Sequence, residues 1–320
     1  MQTIGFIGLG SMGLPMAGNL LAKGFRVRGY DVRPSAGAAL AEIGGGAPAR
    51  GAAGGGGGGG PGLPGGGARP GGTVAESAAA AAEGAEALVL MVVNAEQAET
   101  ALFDQGALAA LPPGALVVLM ATCPPGAAAA LAERVSASGR RFLDAPVSGG
   151  VVGAKAAALT IMAAGPRADF EAAQDLLAAL GSRVFHVGER AGQGAMVKTV
   201  NQLLCGVHIA VLAEAFALAE KAGVALPVLL EIMSGSSAAS WMLGDRGPRM
   251  AGLDPGFTSA VDIFVKDLGI VMEAGREAMA ALPLAAIAHQ LFLAASGRGE
   301  GAADDSQVIR SYRLLNGTAD

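Results

Sequence analysis

Thr3-Ile-Gly-Phe-Ile7, followed directly by Gly8-Leu9-Gly10-Ser11-Met12-Gly13, is the stretch that decides the fold. Its first five residues read as an apolar strand, and the glycines at 8, 10 and 13 then open a helix expected over Ser11 to Lys23. Gly8 permits a tight turn, Gly10 lets a phosphate approach the backbone, and Gly13 lets helix and strand pack closely. The free N–H groups at the helix start suit phosphate oxygens. A second strand, Phe25 to Tyr30, ends in Asp31, eighteen residues past Gly13, where a carboxylate can accept hydrogen bonds from an adenosine ribose. The whole segment, with Leu9, Ser11 and Met12 in its loop, is expected to bind a dinucleotide. Asp31 favours NAD because its charge opposes a 2′-phosphate, while Arg33 leaves some use of NADP open. The plainer alternative for Asp31 is a turn residue before Pro34.

Outward from this segment, strand and helix alternate. A short helix is expected at Ala38 to Ile43, strands at Ala87 to Val93, Leu116 to Met120 and Arg141 to Leu143, and a helix from Pro125 to Ser138. Strands at Leu159 to Ala163 and Val184 to Val187 flank a helix over Arg167 to Leu180, and beyond Gly192 only helices follow. The fold class is therefore α/β: an N-terminal Rossmann-type, doubly wound parallel sheet followed by an all-α C-terminal domain. The expected domains are 1–190 for the dinucleotide and 191–320, all helical. Residues 44–72 interrupt the rhythm with seventeen glycines in twenty-nine positions and Leu63 as almost their only large apolar side chain. Such a stretch cannot bury enough surface to offset its ordering entropy and reads as a flexible surface insert, one that obscures a short strand of the sheet.

The 320 residues are 52% hydrophobic, enough for a core in each of two domains. Only 15% are charged, against about 25% in an average soluble domain, which fits a surface partly covered by oligomer contacts. A net charge of -5 with no basic tail or stripe argues against nucleic acid as a partner. The first strand begins almost at Met1, so no signal or transit peptide is expected. The uncharged runs Gly106 to Ala132 and Ala278 to Gly297 are interrupted by prolines and read as core rather than membrane spans. Cys123 and Cys205 show no metal or redox spacing, consistent with the cytoplasm.

Two later segments carry chemistry. Asp144-Ala-Pro-Val-Ser148-Gly149-Gly150 ends a strand with a hydroxyl and two unobstructed backbone N–H groups, a nest for a small carboxylate or simply a turn. In Gly192-Gln-Gly-Ala-Met-Val-Lys198-Thr-Val-Asn201-Gln202, a lysine interrupts a long apolar helix. Lys198, Asn201, Gln202 and Cys205 fall at i, i+3, i+4 and i+7, a single polar stripe. Desolvation would move the amine down from about 10.4 toward the range useful for proton transfer. The alternative is an ordinary surface lysine near a helix start.

These segments in order, with Lys266-Asp267-Leu268, resemble the β-hydroxyacid dehydrogenases, the family that includes enzymes acting on 3-hydroxyisobutyrate and tartronate semialdehyde. The resemblance covers essentially the whole chain outside the glycine-rich insert. Four stretches, 91–95, 201–209, 259–269 and Asp304-Asp305-Ser306, are similar to the branch that oxidises L-threonate. The resemblance implies that Lys198 is the general acid/base of an NAD-dependent oxidation of a small hydroxy acid. It places Ser148, Gly149, Gly150 and Asn201 or Gln202 on the substrate, Thr122 and Val93 near the nicotinamide end, and Lys266 on the coenzyme. It also implies a long helix carrying Lys198 between the domains. The family often has proline where this chain has Val93 and glycine where it has Ala157.

Other residues read more simply. His186, His208 and His289 are expected to be structural. Met120, Met162, Met196, Phe264 and Trp241 resemble a cofactor box but mostly fit a core role, with Trp241 the exception that could close over a substrate. No spacing around Glu231, Asp262 and Asp267 supports a metal. A non-catalytic NAD(H)-binding scaffold is the competing class, and a costly buried cation speaks against it.

Overall fold

The computed structural model describes residues 1–44 and 72–318. All but the end residues of the glycine-rich insert, Gly44 and Gly72, lie outside the described residues. The chain divides into two compact units, one made of residues 1–121 and 126–194, the other of 122–125 and the residues from Ala195 onward.

The first unit runs β1 (Thr3–Ile7), α1 (Gly13–Ala22), β2 (Arg26–Tyr30), α2 (Pro34–Gly44), β3 (Thr73–Val74), α3 (Ala78–Ala82), β4 (Ala87–Leu90), α4 (Ala95–Glu99), α5 (Ala107–Ala110), β5 (Leu116–Leu119), α6 (Pro125–Ala137) and β6 (Arg141–Asp144). There follow β7 (Val147–Ser148), α7 (Gly150–Lys155), β8 (Thr160–Ala164), α8 (Arg167–Ala172), α9 (Gln174–Leu180) and β9 (Arg183–Gly188). Strands β3-β2-β1-β4-β5-β6 form a parallel sheet in that spatial order. It is the doubly wound arrangement expected, with its order reversing beside β1. The sheet does not stay parallel: β8 joins β6 antiparallel, at Asp144 opposite Ala164, and carries β9 parallel to itself. Strands β4 and β5, Ala-Leu-Val-Leu and Leu-Val-Val-Leu, are buried at every position, as strands covered on both faces must be.

Several boundaries moved for local reasons. α2 begins at Pro34 rather than Ala38, because the fixed φ of proline suits a first helical turn. The helix expected over 167–180 is two helices, which meet at Ala173; its N–H bonds back to the carbonyls of both Asp169 and Phe170. α3 and α4, too short to show periodicity, are fixed by caps: Ser77 Oγ accepts the Ala80 N–H at 3.0 Å, and Asn94 Oδ1 accepts that of Gln97 at 2.9 Å. Ala157 stands at φ 52°, a left-handed conformation that a Cβ disfavours and glycine takes freely.

The second unit is helical: α10 (Gln193–Lys221), whose first turn belongs to the first unit, then α11 (Leu226–Ser234), α12 (Trp241–Met250), α13 (Val261–Glu277), α14 (Pro283–Ala295) and α15 (Ile309–Asn316). Its core centres on Phe216, Phe264, Leu268 and Phe292, with the rings of Phe264 and Phe292 stacked 5.2 Å apart. Among the described residues α10 is the one helix long and apolar enough to cross a membrane, and half of its most apolar window is buried.

A buried ionic cluster ties α12 to the chain after α14. Arg246 holds both oxygens of Asp305, at 2.9 and 2.6 Å. Arg249 donates to Asp304 at 3.0 Å and Asp245 at 2.8 Å. Asp304 accepts in addition the N–H groups of Thr258 and Ser306. The Asp304-Asp305-Ser306 stretch is therefore an internal clamp.

Candidate active site

In the first unit, β1 delivers the chain into Gly8, which sits at φ 95° with the position of a missing Cβ only 2.3 Å from the Met91 carbonyl. No other residue fits that turn. A Cβ on Gly10 would meet only the Arg33 guanidinium, at 3.5 Å, so the backbone there is open to a ligand and lies beside a cation. Met12 caps α1 without a side-chain hydrogen bond, the Leu14 N–H bonds back to the Gly10 carbonyl at 3.0 Å, and Pro15 has no N–H to offer.

Asp31 closes this loop from the side. Its Oδ2 accepts the Leu9 N–H at 2.8 Å, and its Oδ1 accepts from the Arg33 N–H at 2.9 Å and from Nε at 3.0 Å. Burial would raise the carboxyl, but the Arg33 and Leu9 hydrogen bonds outweigh it and hold Asp31 below its ordinary value. The open backbone at Gly10 and the ionised acid beside it fit a dinucleotide. The Asp31–Arg33 pairing escaped sequence reading, which treated the two residues as separate signals.

The Ser148 to Gly150 segment belongs to the same unit. Gly149 and Gly150 take positive φ, 127° and 59°, as the chain turns from β7 into α7. Asn19 of α1 donates to the Ala154 carbonyl at 2.7 Å and so ties α7 to the dinucleotide helix. Val93, half exposed beyond β4, is pinned by its N–H to the Gln97 side chain at 3.0 Å. Asp144 accepts the Gly192 N–H at 2.8 Å, which anchors the approach to α10 at the end of β6.

The remaining expected residues gather in the second unit. Lys198 is 7% exposed, and burial lowers its ammonium below the ordinary lysine range. Asp267 and Cys205 act against that shift, and the positive charge of Lys266 adds to it. Lys266 donates to Asp267 Oδ1 at 2.6 Å and to the Thr122 carbonyl at 3.4 Å, so the two residues expected at the coenzyme do meet. The other carboxylate oxygen of Asp267 accepts from Gln202 Nε2 at 2.5 Å. Asn201 Nδ2 donates to Gln202 Oε1 at 2.9 Å and to Cys205 Sγ at 3.4 Å. The contact depends on Gly206, where a Cβ would stand 2.8 Å from the Leu268 side chain; without one, α10 and α13 approach until Gln202 reaches Asp267.

Asp267, only 2% exposed, is the functional residue that sequence reading undervalued. Its signal was present: it occupies the buried face of α13 together with Phe264, Leu268, Ile270 and Val271. An acid on an apolar stripe needs partners. Two of the three histidines take structural bonds, His186 to the Gly165 carbonyl and His289 to that of Val265. Of the residues resembling a cofactor box, Met120, Met162 and Phe264 are buried, whereas Met196 and Trp241 are exposed. Trp241 stands 58% exposed at the start of α12, with the Arg246 guanidinium 6.0 Å from its ring centre.

The chain is similar to known proteins over nearly its whole length. Residues 3–188 match the NAD binding domain of 6-phosphogluconate dehydrogenase, and residues 192–312 match the family described as NAD-binding of NADP-dependent 3-hydroxyisobutyrate dehydrogenase. An L-threonate dehydrogenase of Cupriavidus necator is 41% identical over 97% of this chain and 96% of its own. A 3-hydroxyisobutyrate dehydrogenase of Pseudomonas aeruginosa is 35% identical over 98% of this chain and 99% of its own. The crystal structure of a Salmonella typhimurium 3-hydroxyisobutyrate dehydrogenase superposes with a TM-score of 0.83 at 36% identity, covering 97% of this chain and 99% of that one. The chain belongs to the 3-hydroxyisobutyrate dehydrogenase family of β-hydroxyacid dehydrogenases. It is an NAD-dependent oxidoreductase acting on a small hydroxy acid.

Proposed function

We propose that this enzyme oxidises L-threonate to the corresponding 2-oxo acid, with Lys198 as general base. The observation that carries the mechanism is a buried lysine with a lowered proton affinity, beside a carboxylate that a second lysine already engages. Such an amine can be neutral when substrate arrives, and a neutral amine can take a proton. Ser148 and the backbone N–H groups of Gly149 and Gly150 hold the substrate carboxylate, and Asn201 contacts a hydroxyl. Lys198 Nζ removes the hydroxyl proton as the carbon–oxygen double bond forms. NAD, when bound, accepts the hydride that leaves the same carbon. Gly8 to Gly13 and Asp31 hold the adenosine and phosphates, and Val93, Thr122 and Lys266 lie along the nicotinamide end. The protein thus contributes position, a proton acceptor and charge complementarity.

The substrate assignment is supported by the 41% identical L-threonate dehydrogenase, and 3-hydroxyisobutyrate and tartronate semialdehyde are its competitors. Residues 1–190 would serve the coenzyme and 191–320 the substrate. The oligomer is read as a homodimer or homotetramer in the cytoplasm, supported by Val197, Leu204, Val211 and Leu218, exposed apolar residues seven apart on α10. The test is NAD reduction with L-threonate, 3-hydroxyisobutyrate and glycerate, the reduced partner of tartronate semialdehyde, by wild type and Lys198→Ala. L-Threonate should give the highest kcat/KM, and Lys198→Ala should lower kcat by roughly 10²–10⁴. Equal rates for the two proteins would end the general-base assignment.

A further inference from the structure

We propose that Asp267 is a positioning residue that sets the polarity of a row of side chains, so that Asn201 presents its amide oxygen to a substrate hydroxyl beside the one that reacts. An isolated amide can turn either way, but here one end of the row is fixed. An ionised carboxylate only accepts hydrogen bonds, so the Gln202 atom 2.5 Å from Asp267 Oδ2 must be the donor Nε2. Gln202 Oε1 then lies on the far side and can only accept, so the Asn201 atom 2.9 Å away must be Nδ2. The second Nδ2 hydrogen goes to Cys205 Sγ, 3.4 Å away and one turn further along α10. Both donor hydrogens of Asn201 are thereby committed inside the protein. What remains of its amide is Oδ1, on the opposite side of the group.

The consequence concerns substrate class, and it rests on Lys198 being the base. An acceptor oxygen cannot hold a carboxylate, so Asn201 does not bind the acid group. The reacting hydroxyl has one proton, which goes to Lys198 Nζ. A hydroxyl that donates to Asn201 Oδ1 must therefore be a second one on the same substrate. Lys198 and Asn201 lie three apart on α10, so their side chains are neighbours on one helical face. The site is thus built for an acid with at least two hydroxyls, and Gln202, buried with both ends of its amide occupied, acts as the relay between Asp267 and Asn201.

The experiment compares L-threonate with (R)-2-hydroxybutyrate, which has the same carbon chain and the same configuration at the reacting carbon but lacks the other hydroxyls. The second acid is measured in competition with the first, so its constant is obtained whether or not it turns over. Gln202→Leu and Asp267→Asn should each lower kcat/KM for L-threonate by about tenfold or more, and Gln202→Leu, which touches neither lysine, should move the constant for (R)-2-hydroxybutyrate by less than about threefold. The double variant should lose little beyond either single one, because both act through one row. Asp267→Asn should also shift the pH profile of oxidation downward, since it removes the carboxylate that favours the Lys198 ammonium; Gln202→Leu should not. Equal losses for both acids in Gln202→Leu, or additive losses in the double variant, would overturn the proposal. Full activity of Lys198→Ala would instead overturn the general-base reading, an outcome visible before either row variant is made. If another polyhydroxy acid proves the better substrate, it and its deoxy counterpart replace this pair.

Discussion

Two buried charge clusters lie in the helical unit, and they differ in balance. Around Arg246 and Arg249, two guanidinium groups face the carboxylates of Asp245, Asp304 and Asp305 in a web of close hydrogen bonds. Around Asp267, two lysines share one carboxylate. The first cluster has every cation matched and uses the planar fork that binds carboxylates two bonds at a time. The second has a cation in excess and uses the amine whose proton affinity burial readily changes. A cluster whose cations are all paired holds structure, whereas one with a cation in excess is available for an anionic ligand and for proton transfer.

Breaking the matched cluster should have the larger effect on stability. Arg246→Met leaves the Asp305 carboxylate buried without its guanidinium, and denaturant unfolding should show a loss of about 3–5 kcal/mol. The same measurement on Gln202→Leu should show much less, because no charge is stranded. An equal loss would mean that both clusters are structural.

The pH profile sharpens the contrast. Oxidation requires neutral Lys198, so kcat/KM should rise with pH and level off at an apparent value below the ordinary lysine range. Stability follows the same sign: the folded lysine holds its proton less tightly than the unfolded one, so stability should increase with pH between the two values. Lys198→Met should flatten that slope, as urea midpoints across the alkaline range would record. A slope unchanged by the substitution would place its origin elsewhere.

The smallest effect lies in the first unit. Ala157 occupies a left-handed conformation, so Ala157→Gly should stabilise by about 0.5–1 kcal/mol, seen as a small rise in Tm with kinetics unaltered. No rise would show that the chain flexibility glycine adds to the unfolded state cancels the relief.

Much of the first unit was legible along the chain because its signals are local. Thr3 to Gly13 places strand, turn and helix in consecutive residues, and Gly8 at φ 95° occupies the turn that motif predicts. Short helices such as α3 and α4 were missed because one turn shows no periodicity; their Ser77 and Asn94 caps were the available signal. The antiparallel return of β8 onto β6 was also missed, since strand direction depends on how the intervening chain crosses the sheet.

The sequence by itself determined a strand–glycine–helix start with an acid after the second strand, and a lysine set in an apolar helix with amides on the same stripe. Each follows from spacing within one or two elements. Only the tertiary structure decided that Gln202 and Asp267, 65 residues apart, share a hydrogen bond, and that Asn201 therefore turns its oxygen outward. The physical reason is that an amide's direction is set by whatever lies across from it. Here that is a carboxylate on another helix, brought near by the missing side chain of Gly206.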